Sequence, residues 1–129
     1  MDMIIDFPGG LKVDASFRGH TVQTDQPPAD SAPMPFEVFL ASVGTCAGIY
    51  VLGFCRQRNL PTEGIRIIQR NHANMQGMIE KIDLDIQVPP AFPSQYYEAL
   101  VRSAELCKVK KTLEHPPLFE VKTVVTEAA

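Results

Sequence analysis

Three thiols are the side chains in this sequence best suited to chemistry, and their settings differ. Cys46 lies within a long uncharged run, flanked by Ser42, Gly44, Thr45, Ala47 and Gly48. In such company a thiol is either a small hydrophobe at a packing contact or a nucleophile held at a close approach. Cys107 precedes Lys108, Val109, Lys110 and Lys111, at the expected start of a short helix. Helix N-termini and ammonium groups both stabilise a thiolate, which gives Cys107 a physical reason for a lowered pKa. The competing reading is a buried cysteine beside solvated lysines. Cys55 is about half a helical turn out of phase with Cys46, so the two point apart and should not pair.

Other chemistries find little support. His20, His72 and His115 sit in separate segments without zinc-ligand spacing, and no CxxC occurs, so no metal site is expected. The Walker loop, the dinucleotide-binding GxGxxG and the GxSxG elbow are all missing, and no cofactor is expected. The three lysines after Cys107 are too few for a nucleic-acid surface. A net charge of −3 and a pI near 5.5 also argue against nucleic acid or an anionic membrane as partner.

At 129 residues, 45% hydrophobic and 21% charged, the chain reads as one soluble domain, residues 1–129, with one core. Its start, MDMIIDF, is acidic and too short in its apolar part for a secretory signal. An odd number of cysteines does not build a disulfide framework, so a reducing, cytoplasmic setting is expected.

The element that must position Cys46 is residues 33–59, PMPFEVFLASVGTCAGIYVLGFCRQRN. It reads as one long helix with a Pro-rich entry, closed by Asn59 and Pro61. No charge falls between Glu37 and Arg56, and a helix that is apolar all round belongs in the middle of something. Gly44 and Gly48 have the spacing of a helix-crossing notch. Residues 38–55 are long enough to span a membrane. Their Gly, Ser, Thr and Cys content, with no flanking basic cluster or aromatic belt, favours a core helix instead.

Around this helix the pattern alternates. Residues 1–7 read as a strand ended by Pro8, Gly9 and Gly10. Leu11, Val13, Ala15 and Phe17 then alternate with polar residues, Gly19 turns the chain, and residues 20–25 return. Residues 26–35 carry four prolines and form a loop. After the helix, residues 64–73 form a strand with Ile65, Ile67 and Gln69 on one face. A turn at residues 74–77 leads to Ile79, Ile82, Leu84, Ile86 and Val88 on the next strand, which Pro89 and Pro90 stop. A helix is expected at residues 94–105, a break near Cys107, a short helix to Glu114, and a final strand at 118–126. The class is α+β, with about six mainly antiparallel strands around a long buried helix.

The run PMPFEVFLASVGTC, continuing through AGIYV, with ELCKVKKTL around Cys107, resembles the osmotically inducible protein C (OsmC) and organic hydroperoxide resistance (Ohr) superfamily. The order of elements is similar too, over nearly the whole chain. The resemblance implies an OsmC-like fold and an intertwined homodimer with the two long helices at its centre. It implies a thiol peroxidase acting in oxidative stress and detoxification. Cys46 would attack an organic hydroperoxide and become a sulfenic acid, and Cys107 would resolve it to a disulfide, in keeping with cysteine oxidation chemistry. A dithiol of lipoyl type would reopen that disulfide. By the same resemblance Phe36, Phe39 and Tyr50 line the substrate pocket. Arg18, by its position in the N-terminal strands, is the activating cation, and Glu37 is the carboxylate. The chain departs from the family pattern where Phe36 rather than an acid follows Pro35, and where Lys108 rather than Pro follows Cys107. By helical phase Phe36 lies about 80° from Cys46 and Glu37 about 180°. Two alternatives follow: a non-peroxidatic domain binding a small apolar or thiol ligand in the dimer pocket, and a structural stress protein with inert cysteines.

Overall fold

The computed structural model describes residues 1–127. Three strands open the chain: β1 (Ile4–Gly9), β2 (Lys12–Phe17) and β3 (His20–Thr24), antiparallel and in that order in one sheet. Arg18 and Gly19 join β2 to β3, both at positive φ, 48° and 78°. Two such residues in succession make the primed turn whose twist suits a two-residue hairpin, and Phe17 comes to lie opposite His20.

Asp25 then organises the loop into the long helix. Its side chain accepts hydrogen bonds from the Gln26 N–H at 2.8 Å and the Ser31 N–H at 2.9 Å, and from the Ser31 hydroxyl. Its own N–H donates to the Pro33 carbonyl at 3.1 Å. The Ser31 hydroxyl, the Ser31 N–H and the Gln26 N–H hold this carboxyl below its ordinary range.

Helix α1 (Pro35–Gln57) starts with Pro at its first position, where a missing N–H costs nothing. It ends in a Schellman motif. Asn59 takes the left-handed conformation at φ 54°, Leu60 N–H donates to the Cys55 carbonyl at 2.9 Å, and Asn59 N–H to the Arg56 carbonyl at 3.3 Å. Leu60 thereby turns back onto the core. The hairpin β4 (Arg66–Ala73) and β5 (Ile79–Gln87) follows, with Ile67 opposite Ile86 and Gln69 opposite Leu84. A 3-10 turn at Ser94–Tyr96 leads into α2 (Tyr97–Glu105), and α3 (Lys108–Glu114) comes after it.

One core joins these parts: Ala47, Val51, Phe54 and Cys55 of α1, Leu100 and Ala104 of α2, and Phe92, flanked by Ile67, Leu84 and Ile86 of the hairpin. The expected notch at Gly44 and Gly48 is filled from β4 within the chain. A Cβ at Gly44 would collide with Gln69 Oε1, and one at Gly48 would meet the Ile67 methyl at 3.9 Å. The Gln69 amide donates to the Leu40 carbonyl at 2.8 Å, locking hairpin to helix.

Within a single chain the helix buries one face, and Ile49, 67% exposed, and Leu52 lie on the other. One expectation changes. The final strand at residues 118–126 is not formed, and Leu118, Phe119, Val121 and Val125 lie open to solvent. A strand needs an edge to pair with, and this segment meets none within the chain. The strands of the first sheet likewise pack chiefly on one another, leaving Ile4, Ile5 and Phe7 exposed. Among the described residues there are therefore five strands in two sheets.

Two outcomes follow from this packing. Phe54 sits edge-on to Tyr96 at 5.8 Å with the Arg58 guanidinium 3.7 Å from its ring centre. Phe54→Ala is expected to lower unfolding stability by about 3–5 kcal/mol in urea denaturation, and a loss under about 1 kcal/mol would contradict this core. Because the folded pKa of Asp25 is depressed, its contribution is full above the ordinary carboxylate value and is lost as pH falls through the folded one. Asp25→Asn is expected to make stability less steeply dependent on pH on the acid side. An unchanged acid limb in the same denaturation series would count against the role given to this carboxylate.

Candidate active site

Cys46 and Cys107 reach one place because α2 and α3 pack on α1. Cys46 projects, half-buried, from the middle of α1. Cys107 is the N-cap of α3, where its sulfur accepts the Lys110 N–H at 3.5 Å and lies 4.0 Å from the Val43 carbonyl. It is only 1% exposed. Cys46 shares its groove with Lys108 and Val109, the two residues that follow Cys107 in α3.

These contacts drive the two thiols in opposite directions. Burial pushes Cys46 up, but the Val109 N–H, the Cys107 thiol, the Lys108 N–H and the Lys108 charge together outweigh it, and its pKa falls below the usual thiol value. Cys107 is raised, first by burial, with the neighbouring Cys46 adding to the rise against the N–H groups of Lys110 and Val109. The expectation of a lowered pKa at Cys107 is thus corrected. The start of α3 serves Cys46 as well as its own N-cap, and burial dominates at Cys107. The shifts favour the thiolate at Cys46 and the thiol at Cys107. Cys55 is fully buried on the opposite side of α1, and burial raises its pKa against the opposing Arg58 charge.

Cavities flank the pair on two sides. Cys46 opens onto a solvent-open groove of about 460 Å³, lined by Phe39, Ser42, Lys108, Val109 and Leu113 and largely apolar. Behind Cys107 lies another of about 380 Å³, walled by Val43, Ala47, Leu84, Ile86 and Ala104.

The other residues singled out from sequence fall in various places. Phe39 lines the Cys46 cavity, and Phe36 stacks on it with ring centres 5.6 Å apart. Tyr50 lines a separate cleft between α1 and α2, beside Arg58 and Arg102. Glu37 accepts the Met34 N–H at 2.9 Å, the return half of a capping box, so its carboxylate is engaged at the helix start. Arg18 sits in the β2–β3 turn, and the Lys108 charge is among the causes that lower the Cys46 pKa. Sequence reasoning did not single out Lys108, Val109 or Leu113 as neighbours of Cys46. Their signal was adjacency to Cys107 on a helix whose docking site could not be read. Among the described residues no group of three or more His, Cys, Asp and Glu could hold a metal ion.

Solved structures of low sequence identity share this fold. A Psychrobacter arcticus protein assigned to osmotic stress induction and the detoxification response is 14% identical, with 85% of each chain covered and a TM-score of 0.71. An OsmC-like protein from Mycoplasma pneumoniae is 12% identical over 89% of this chain and 87% of that one, with a TM-score of 0.70. An OsmC-like protein of unknown function from Vibrio cholerae is 13% identical over 88% and 92% respectively, with a TM-score of 0.60. No curated protein matches the chain. The family model for OsmC-like protein matches residues 28–122, a span that runs from the loop before α1 past α3 and includes both Cys46 and Cys107. On that match the chain belongs to the OsmC-like protein family, and the solved structures share its fold of antiparallel strands and a long helix.

Proposed function

We propose that the protein is a thiol-dependent peroxidase that reduces organic hydroperoxides, with Cys46 as the peroxidatic and Cys107 as the resolving cysteine. One observation carries the reading: Cys46 and the start of the helix that Cys107 caps meet at one largely apolar groove, with the two thiols shifted in opposite directions. The Cys46 thiolate attacks the distal oxygen of ROOH, the O–O bond breaks, and the alkoxide leaves and takes up a proton as ROH. Cys46 is left as a sulfenic acid. The Cys107 thiol then displaces water from that sulfenic acid and forms the disulfide. A dithiol of lipoyl type reduces the disulfide and is itself oxidised to a cyclic disulfide. The largely apolar lining, with Phe39 at the wall, supports an organic rather than a hydrophilic peroxide. The reaction suits a reducing, cytoplasmic setting, where a dithiol can be regenerated.

The assembly we propose is a homodimer. Ile49 and Leu52 on α1, Ile4, Ile5 and Phe7 on β1, and Leu118, Phe119 and Val121 in the last segment are large apolar side chains exposed in a single chain. Apolar surface on this scale marks a protein interface.

Cys46→Ser is expected to abolish turnover of cumene hydroperoxide with dihydrolipoamide. Cys107→Ser is expected to stop after about one equivalent, because the sulfenic acid then has no resolving thiol. Full steady-state turnover by either variant would exclude this mechanism. In the wild type, iodoacetamide should label Cys46 ahead of Cys107 and Cys55, and its rate should fall up to about tenfold per unit as pH drops below the Cys46 pKa. Labelling of Cys107 first would reverse the roles. For the assembly, sedimentation is expected to give a dimer that Ile49→Glu converts to monomer, and a monomeric wild type would refute it.

A second reading has one observation in its favour. Glu37 is engaged at the helix start, and among the described residues no carboxylate is among the causes that shift Cys46. A domain that only binds a small apolar or thiol ligand is then the alternative. It would show such a ligand in native mass spectrometry without peroxide turnover, and brisk turnover removes it.

A further inference from the structure

We propose that the cleft between α1 and α2 binds an amphiphilic organic anion, its carboxylate or phosphate held by Arg58 and Arg102 and its apolar body lying along the cleft. The cleft holds about 670 Å³ and opens to solvent. It shares no lining residue with the groove of Cys46, so this binding is separate from the chemistry proposed there. Its two walls are tied within one chain, for the Ser103 hydroxyl of α2 donates to the Tyr50 carbonyl of α1 at 3.2 Å. Phe54, buried in the core, lines it with Ile49, Ala99 and Leu106, which gives an apolar bed.

The two charged side chains of the lining are both guanidinium groups, one from each wall. Arg58 is held in place: its guanidinium lies 3.7 Å from the Phe54 ring centre and donates to the Phe54 carbonyl at 3.1 Å. That bond uses one of five donors, and among the described residues Arg58 makes no ion pair within 4.0 Å. Arg102 has one acidic neighbour, Glu98, at 4.0 Å on its own helix. Glu98 does not line the cleft and its side chain is 93% exposed, so the pair is a weak surface contact. No carboxylate lines the cleft to neutralise the two arginines, in a chain whose net charge is −3. Guanidinium forks match the paired oxygens of a carboxylate or phosphate, and the apolar bed takes the rest of the same molecule.

Ile49 also belongs to the α1 face assigned above to a second copy, so a dimer bounds the cleft at that end. Arg58 is the C-cap of α1, about 13 Å further along the axis at 1.5 Å per residue. The rival occupant is therefore a carboxylate of the second copy, and the mass of the variants separates the two.

The test titrates the full chain with octanoate, octyl phosphate and octan-1-ol by calorimetry, and follows assembly by sedimentation. At least one anion is expected to bind saturably and about tenfold or more tighter than octan-1-ol, and the tighter of the two identifies the head group. Arg58→Gln and Arg102→Gln are each expected to weaken anion binding about tenfold and to leave octan-1-ol unchanged. Arg70→Gln, on β4 outside the cleft, is expected to bind as the wild type does. Should circular dichroism show Arg58→Gln unfolded, Arg102→Gln decides, because its side chain is 69% exposed. Absence of saturable anion binding overturns the inference, and so does binding that neither substitution weakens. A dimer that dissociates in either variant, with no anion bound by the wild type, assigns the arginines to the second copy and overturns it too.

Discussion

The packing of α3 against α1 is the contact on which the site depends. It brings the start of α3, which Cys107 caps, to the groove that Cys46 lines on another helix. Neither thiol would behave this way alone. Cys46 on an isolated uncharged helix would be raised by burial, as Cys55 is. Beside α3 it gains two N–H donors, a thiol donor and an ammonium group, and the balance changes sign. Cys107 caps the helix at 1% exposure, and burial raises its pKa.

The same helix explains why a single chain looks unfinished. α1 buries Val43, Ala47, Val51, Phe54 and Cys55 on the side that meets α2, α3 and the β4–β5 hairpin. Its other side keeps Ile49 and Leu52 in solvent, as the first sheet keeps Ile4, Ile5 and Phe7. By length and composition α1 could also span a membrane, at a mean hydropathy of 1.9, but its contacts with the second hairpin and two helices are those of a core helix. An apolar surface distributed over helix, sheet and last segment is what an intertwined pair of chains would cover.

Much of the fold was legible because it rests on local rules. Absence of charge from Glu37 to Arg56 and the Asn59 stop located α1 to within about two residues, and period-two alternation located β2, β4 and β5. The last segment has the same kind of pattern as β5 but forms no strand, because alternation says nothing about whether an edge is available. At the site, the order of Cys46 and Cys107 was visible, and so was the phase that turns Glu37 away. What could not be read was which side of α1 each neighbour takes. That hid the separate cleft holding Tyr50, the filling of the Gly44 notch by Gln69, and the burial that raises Cys107. Each of these depends on tertiary docking, for which no local signal exists.

The account stands or falls on the two cysteines acting as one redox unit. The most direct measurement is peptide mass mapping of the reduced protein after one equivalent of cumene hydroperoxide. The account expects a single intramolecular Cys46–Cys107 cross-link, two hydrogens lighter than the reduced peptides, with Cys55 still a free thiol. Three unchanged thiols, or a cross-link through Cys55, would contradict it.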